Sequence, residues 1–288
     1  MNRFVNCIAH ISSDGQLLIG DDHTALFDCG MMFCGDKTIQ NVKKTLNGRS
    51  LDYLFMSHTH YDHIGALPLF RNEWMDLRTV TCEAGAAVLL KETPRRVIRE
   101  LSLTAAKTYN TVINAQYDDN VFKADIIVED TEVISLGGLS VKVIYTPGHT
   151  RDSLSFFIPE LEILIVNETP GILMPDDKVY PLYLTSYNDT INSIHKCCQY
   201  HYKYISMPHK GVASAKEADG FFEKALVSNT ICRDFILDMK NQNYTEEKML
   251  NSYFIRYASE ALLSYQPKDA FYANARATIA STIKELSA

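Results

Sequence analysis

Four side chains able to bind a metal fall within six residues at His58-Thr59-His60-Tyr61-Asp62-His63, and apolar sequence encloses the run on both sides. Ahead of it, Leu51 to Met56 reads as a buried strand; after it, Ile64 to Phe70 is short and apolar enough to form a helix packed beneath a loop. Polar groups held between such stretches are costly to bury without partners. The run also leaves a strand end, where a rigid scaffold aims side chains outward. Imidazole nitrogen and carboxylate oxygen suit zinc, iron or manganese, and four such groups serve two ions if they face different ways. A solvated loop that happens to be rich in His and Asp is the alternative, and the apolar flanks argue against it.

Three further candidates repeat one arrangement of apolar strand, tight turn and metal-competent side chain. His149 follows Val143-Ile144-Tyr145-Thr146-Pro147-Gly148, Glu168 follows Ile163 to Asn167, and His209 follows Ile205-Ser206-Met207-Pro208. Taken singly, a loop histidine or a surface glutamate accounts for each as well as a ligand does. Other residues carry no such pattern. His195 and His201 flank Cys197-Cys198 on an expected helix without a nearby acid, and His10 and His23 have no partners at metal spacing. The seven cysteines, an odd set with no C-x-x-C pair, read as reduced thiols, with Cys29 and Cys34 expected to be buried structural residues.

Strand-like and helix-like stretches alternate through the first two hundred residues. Strands are expected at Leu17 to Ile19, Ala25 to Phe27 and Val80 to Cys82, and helices at Ile39 to Leu46, ended by Asn47-Gly48, and at Ala86 to Lys91. A longer helix is expected from Pro94 to about Asn110. The polar segment Gln116-Tyr117-Asp118-Asp119-Asn120 is the best internal break. A strand-rich half follows, with strands at Ile126 to Val128, Glu132 to Leu136, Leu139 to Tyr145, Leu154 to Ile158 and Ile163 to Val166, a helix from Asn188 to about Tyr200, and the strand Tyr204 to Met207. From Glu217 onward the pattern is helical only. Phe221, Phe222, Ala225, Leu226 and then Met249, Leu250, Tyr253, Phe254, Tyr257 recur at helical spacing, so two or three helices are expected to pack as a cap.

A net charge of −7 with no dense Lys/Arg run gives no support to a nucleic-acid groove. No stretch approaches the roughly 20 apolar residues of a membrane span, and the first residues carry no leader-like run, so a cytoplasmic protein free of the membrane is expected. The partner expected is a small-molecule substrate, and a homodimer is left open.

Ser57-His58-Thr59-His60-Tyr61-Asp62-His63-Ile64-Gly65 resembles the signature loop of the metallo-β-lactamase superfamily. Thr146-Pro147-Gly148-His149-Thr150 resembles its second metal motif. The similarity runs through Glu168 to Pro208-His209-Lys210-Gly211, over about residues 5 to 212. It implies an αββα sandwich over 1–212, with 213–288 as a C-terminal helical cap on the core. It also implies two divalent metal ions, zinc first with iron or manganese as alternatives, held by His58, His60 and His149 on one side and by Asp62, His63 and His209 on the other. One departure is Asn167-Glu168, where the family usually has Gly-Asp with the aspartate bridging both ions. Glutamate keeps the carboxylate and adds a methylene, so retention of the bridge is expected; acceptance of hydrogen bonds from Thr169 or the following turn is the alternative.

The helical C-terminal end looks like that of a bacterial alkylquinolone-pathway thioesterase and, more loosely, of glyoxalase II. Two metals about 3.5 to 4 Å apart hold a shared water as hydroxide and polarise the bond attacked. Asp62 is then the expected proton acceptor and catalytic residue. A binuclear hydrolase of an ester-type bond is implied, a thioester by preference. A phosphodiesterase, or a non-catalytic regulatory protein retaining the pocket, remains the alternative.

Overall fold

The structure is a computed structural model that describes residues 3–10, 15–113 and 118–286. Two compact units make up the chain: one holds the chain up to Tyr145 together with Leu154–Leu164, the other Thr146–Ser153 together with the chain from Ile165 onward.

In the first unit the strands are β1 (Phe4–Asn6), β2 (Gln16–Ile19), β3 (Thr24–Phe27), β4 (Tyr53–Phe55), β5 (Arg78–Thr81), β6 (Ile126–Ile127), β7 (Val133–Ser135), β8 (Ser140–Tyr145), β9 (Leu154–Ile158) and β10 (Ile163–Ile165). Its helices are α1 (Gly35–Leu46), α2 (Tyr61–Ile64), α3 (Leu67–Glu73), α4 (Glu83–Leu89) and α5 (Glu92–Thr108). Strands β1 to β6 form one sheet in sequence order. It is antiparallel from β1 to β3 and parallel from β3 to β6, because helices return the chain between its later strands. A second sheet runs β10-β9-β8-β7, with β7, β8 and β9 antiparallel.

Alternation along the strands builds the layers. Leu17, Leu26, Leu54 and Met56 point to the side where Ile39, Val42, Leu67, Phe70, Leu89 and Ile98 of the helices pack. Their neighbours Phe27 and Phe55 turn to the other side and meet Phe156 of β9 at ring-centroid distances of 5.1 and 5.5 Å. Both faces of β3 and β4 are therefore buried, as parallel strands require. The polar ends of those strands are consequently the places where chemistry is accessible.

The second unit contains β11 (Ile172–Leu173), β12 (Val179–Tyr180), β13 (Tyr204–Met207) and β14 (Gly211–Ser214) with α6 (Tyr187–Cys197), α7 (Phe221–Asn241), α8 (Glu246–Tyr257), α9 (Glu260–Tyr265) and α10 (Lys268–Leu286). Its core gathers Tyr180, Tyr183, Tyr187, Cys232, Tyr253, Phe271 and Ile279. Phe221, Phe222 and Tyr253 are buried, so those aromatics serve packing.

Several elements differ from the sequence reading. Among the described residues four helices follow Glu217, where two or three were expected; the extra one, α10, buries Phe271, Ala275, Thr278, Ile279 and Thr282 on a helical stripe too poor in large apolar residues to stand out. The single helix expected from Ile64 to Phe70 is two, α2 and α3, divided at Gly65-Ala66. The short strands β1, β11, β12 and β14 were not expected at all. Of the polar break proposed at 116–120, Gln116 and Tyr117 lie outside the described residues. Among the described residues no helix is long and apolar enough to cross a membrane.

Candidate metal centre

In the first unit the candidates cluster at the carboxyl ends of β3 and β4, where open parallel sheets place ligands. The connection after β4 is pinned to the one after β3: Cys29 N–H and Gly30 N–H both donate to the His63 carbonyl, at 2.8 and 2.9 Å, and Ala66 N–H donates to Gly30. His60 caps α2 in extended backbone, so the four-residue helix presents Asp62 and His63 one turn on. Ligand-capable atoms of His58 and His60 lie within 4.8 Å of each other, as do those of Asp62 and His63. The His58 ring centroid is 4.6 Å from that of His60 and 4.1 Å from that of His63. His58 and His63 are buried, while Asp62 keeps a partly exposed side chain.

Asp28 was missed by the sequence reading and organises this cluster. It is buried, sits directly after β3 and holds the left-handed φ of 59°, a strained conformation for a residue with a side chain. Its carboxylate accepts from Ser57 N–H at 2.8 Å, from the Ser57 hydroxyl at 2.6 Å and from His63 Nδ1 at 2.8 Å. The Ser57 proton is thereby committed to Asp28, so the 3.1 Å contact between Ser57 Oγ and His58 Nδ1 has the imidazole as donor. Both histidines then carry their lone pair on Nε2. The signal for Asp28 was present: an acid closing the apolar run Ala25-Leu26-Phe27.

In the second unit His149, Glu168 and His209 come together, although 60 positions separate the first from the last. Glu168 is buried and reaches His149 Nε2 with Oε2 at 2.7 Å and His209 Nε2 with Oε1 at 2.5 Å. The alternative of a carboxylate bound only to Thr169 or the next turn does not hold. Thr169 N–H donates instead to the Asn167 side chain, at 2.7 Å, and Asn167 Nδ2 donates to Thr146 at 2.7 Å. Asn167 at the place of the family glycine thus ties the Glu168 turn to the His149 loop. His209, like Asp28, has a left-handed backbone, φ 58°.

His149 Nδ1 donates to the Leu182 carbonyl at 2.8 Å. A carbonyl only accepts, so in the neutral ring Nε2 is an acceptor, and it faces an acceptor carboxylate at 2.7 Å. Two acceptors meet at this distance only with a proton or a cation between them. Nδ1 held by a carbonyl or carboxylate with Nε2 turned toward acids is also the usual support of a metal-ligating histidine. The donor set of imidazoles and carboxylates with no thiol therefore fits a divalent metal. None of the seven cysteines is in a disulfide among the described residues, and all but Cys198 are buried. His195 and His201 are exposed, and His10 packs its ring on Phe33 and Tyr109.

Comparison with known proteins agrees with this chemistry. A family model described as Metallo-beta-lactamase superfamily matches residues 16–209. The chain is 24% identical over 158 residues to a probable metallo-hydrolase of Bacillus subtilis, covering 55% of this chain and 66% of that protein. It is 38% identical over 65 residues to a hydroxyacylglutathione hydrolase of Rhodopseudomonas palustris, covering 22% of this chain and 26% of that one. The matched stretches thus span less than two thirds of either relative. A metallo-beta-lactamase family protein of Thermus thermophilus superposes with a TM-score of 0.65 at 16% identity, over 100% of this chain and 95% of that one.

Proposed function

Because the chain belongs to the metallo-β-lactamase superfamily and has its fold, we propose that it is a binuclear metal-dependent hydrolase acting on an ester-type bond, a thioester by preference. In this reading His58, His60 and His149 would hold one ion, Asp62, His63 and His209 would hold the other, and Glu168 would serve both. The observation that carries it is the Glu168 carboxylate, with one oxygen on each of two histidines that the family pattern assigns to different ions. The longer side chain thus supports a retained bridge.

Two divalent ions, when bound there, would supply Lewis acidity toward the oxygen of the attacked bond and would lower the pKa of water toward neutrality. The chain supplies the rest. Asp62, partly exposed beside His63 with an oxygen 3.8 Å from its Nε2, takes the proton from the attacking water at its Oδ. Asp28 and Leu182 hold His63 and His149 in the tautomer that offers Nε2. Zinc is the expected metal, and the donors accommodate iron or manganese as well.

Preference for a thioester is supported by the short but closer likeness to a hydrolase named for acylglutathione, an acyl thioester. The second unit also holds a cleft of about 570 Å³ where Val179, Tyr180, Val227, Ile231 and Tyr257 offer apolar walls, while Lys224 and Lys178 at its rim are paired with Asp177 and Asp176. A small molecule with an apolar body suits such a cleft, and we assign residues 213–288 the role of substrate cap.

The test is turnover of acyl thioesters by the zinc-loaded full chain beside its Asp62→Asn variant. Loss of a general base costs about 10²- to 10⁴-fold, with the melting temperature held near wild type. Near-normal turnover in Asp62→Asn contradicts that role, and hydrolysis of a bis-aryl phosphate with none of thioesters contradicts the substrate class.

A further inference from the structure

We infer that Glu285, close to the end of α10, is a positioning residue for the metal site, fixing through α6 the backbone that aims the His149 imidazole. The inference rests on the reading of His149 as a metal ligand. The contacts that carry it all lie within the second unit.

His149 is oriented by segment 182–186. Its Nδ1 donates to the Leu182 carbonyl at 2.8 Å. The preceding Gly148 carbonyl accepts from Thr185 N–H at 3.0 Å, from the Thr185 hydroxyl at 3.0 Å and from Ser186 N–H at 3.4 Å. Gly148 has φ +141°, and a Cβ there would run into Thr190 of α6, so the loop lies directly against the first turn of that helix. Ser193, one turn further on, donates to the Pro147 carbonyl at 2.7 Å. The metal motif is therefore clamped by α6 and the segment that leads into it.

What holds that clamp comes from the far end of the chain. Glu285 accepts from Tyr187 N–H at 2.8 Å, from Asn188 N–H at 3.2 Å and from the Ser186 hydroxyl at 3.0 Å. These are first-turn groups of α6 with no partner inside that helix, and a carboxylate satisfies them and suits the positive end of its dipole. One turn earlier on α10, Thr282 donates to the Tyr183 hydroxyl at 3.0 Å. Thr282 and Glu285 share a helix face at i, i+3 and grip the segment on both sides of Thr185. Glu285 occupies the last turn of α10, where a cation would suit that helix better. Its placement there is explained by what it holds.

The experiment titrates zinc against a competing chelator on the full chain, for wild type, Glu285→Ala, Glu285→Gln and Arg276→Ala. Arg276 lies on the same helix but pairs with Glu246 on the exterior, so its loss loosens α10 without touching segment 182–186. Loss of a partner that orients a ligand typically weakens a metal about ten-fold or more. Glu285→Ala is expected to weaken one of two zinc sites by at least that factor and to leave the other near wild type. Glu285→Gln, which keeps an acceptor oxygen, recovers most of the loss, and Arg276→Ala changes neither site. Equal affinities in Glu285→Ala and wild type overturn the inference, as does a loss shared evenly by both sites. If Glu285→Ala does not fold, Thr282→Val decides in the same way, expected to weaken the same site by a smaller factor. A wild-type chain that takes up no zinc overturns the metal reading itself, an outcome distinct from unchanged affinities.

Discussion

At the scale of single residues, the chemistry depends on which nitrogen each histidine offers. Nδ1 of His58, His63 and His149 is engaged by Ser57, Asp28 and Leu182 in turn. Asp28→Asn removes the only charge among these supports. It is expected to weaken metal binding about 10- to 100-fold, measured by chelator competition; unchanged affinity contradicts the role. Glu168 is the residue where length decides. Its oxygens touch His149 and His209 at 2.7 and 2.5 Å, and aspartate, one methylene shorter, cannot keep both contacts from the same backbone. Turnover of Glu168→Asp is expected to fall about ten-fold or more, by the same reasoning on ligand orientation. A rise would mean that glutamate compromises the native site. The seven proposed ligands were legible because each ends or follows an apolar run. Asp28 was not singled out although it follows such a run, because a lone acid has no motif, and the Leu182 carbonyl has no side-chain signature at all.

At the scale of elements, periodicity was informative where large apolar residues carried it and silent elsewhere. α1 was legible from its apolar spacing and from Asn47, which closes it in the left-handed conformation. α10 was not, since Ala275, Thr278 and Thr282 bury a stripe that reads as neutral. β11 and β12 are two residues each, joined through a turn in which Met174 N–H donates to the Lys178 carbonyl, too short for alternation to register. One inter-element staple makes a pH prediction. Asp125, just before β6, accepts from Thr79 N–H of β5 at 2.9 Å and from Arg71 of α3 at 2.7 Å. Burial alone would raise its pKa, but these two partners outweigh burial and hold it below the ordinary 3.8. A depressed carboxyl stabilises the fold above its unfolded pKa and loses that contribution as pH falls through the folded value. Asp125→Asn is therefore expected to melt below wild type at neutral pH, with the gap closing as the pH drops under 3.8. A gap that persists unchanged into acid contradicts the assignment.

At the scale of the whole molecule, the fold class was legible because the His-rich loop and the later strand-end residues fall in one order along the chain, and the family match over residues 16–209 agrees. The partition into compact units was not legible. It follows contacts, with Thr146–Ser153 joining the later part of the chain and Leu154–Leu164 the earlier, and no composition shift marks any of the three crossings. Seven side chains are proposed to hold a pair of cations. The most direct test is an anomalous difference map from a crystal of the zinc-loaded full chain, recorded on both sides of the zinc edge. Two peaks about 3.5 to 4 Å apart are expected, one on His58, His60 and His149, the other on Asp62, His63 and His209, with Glu168 between them. A single peak, or peaks away from Glu168, contradicts that arrangement.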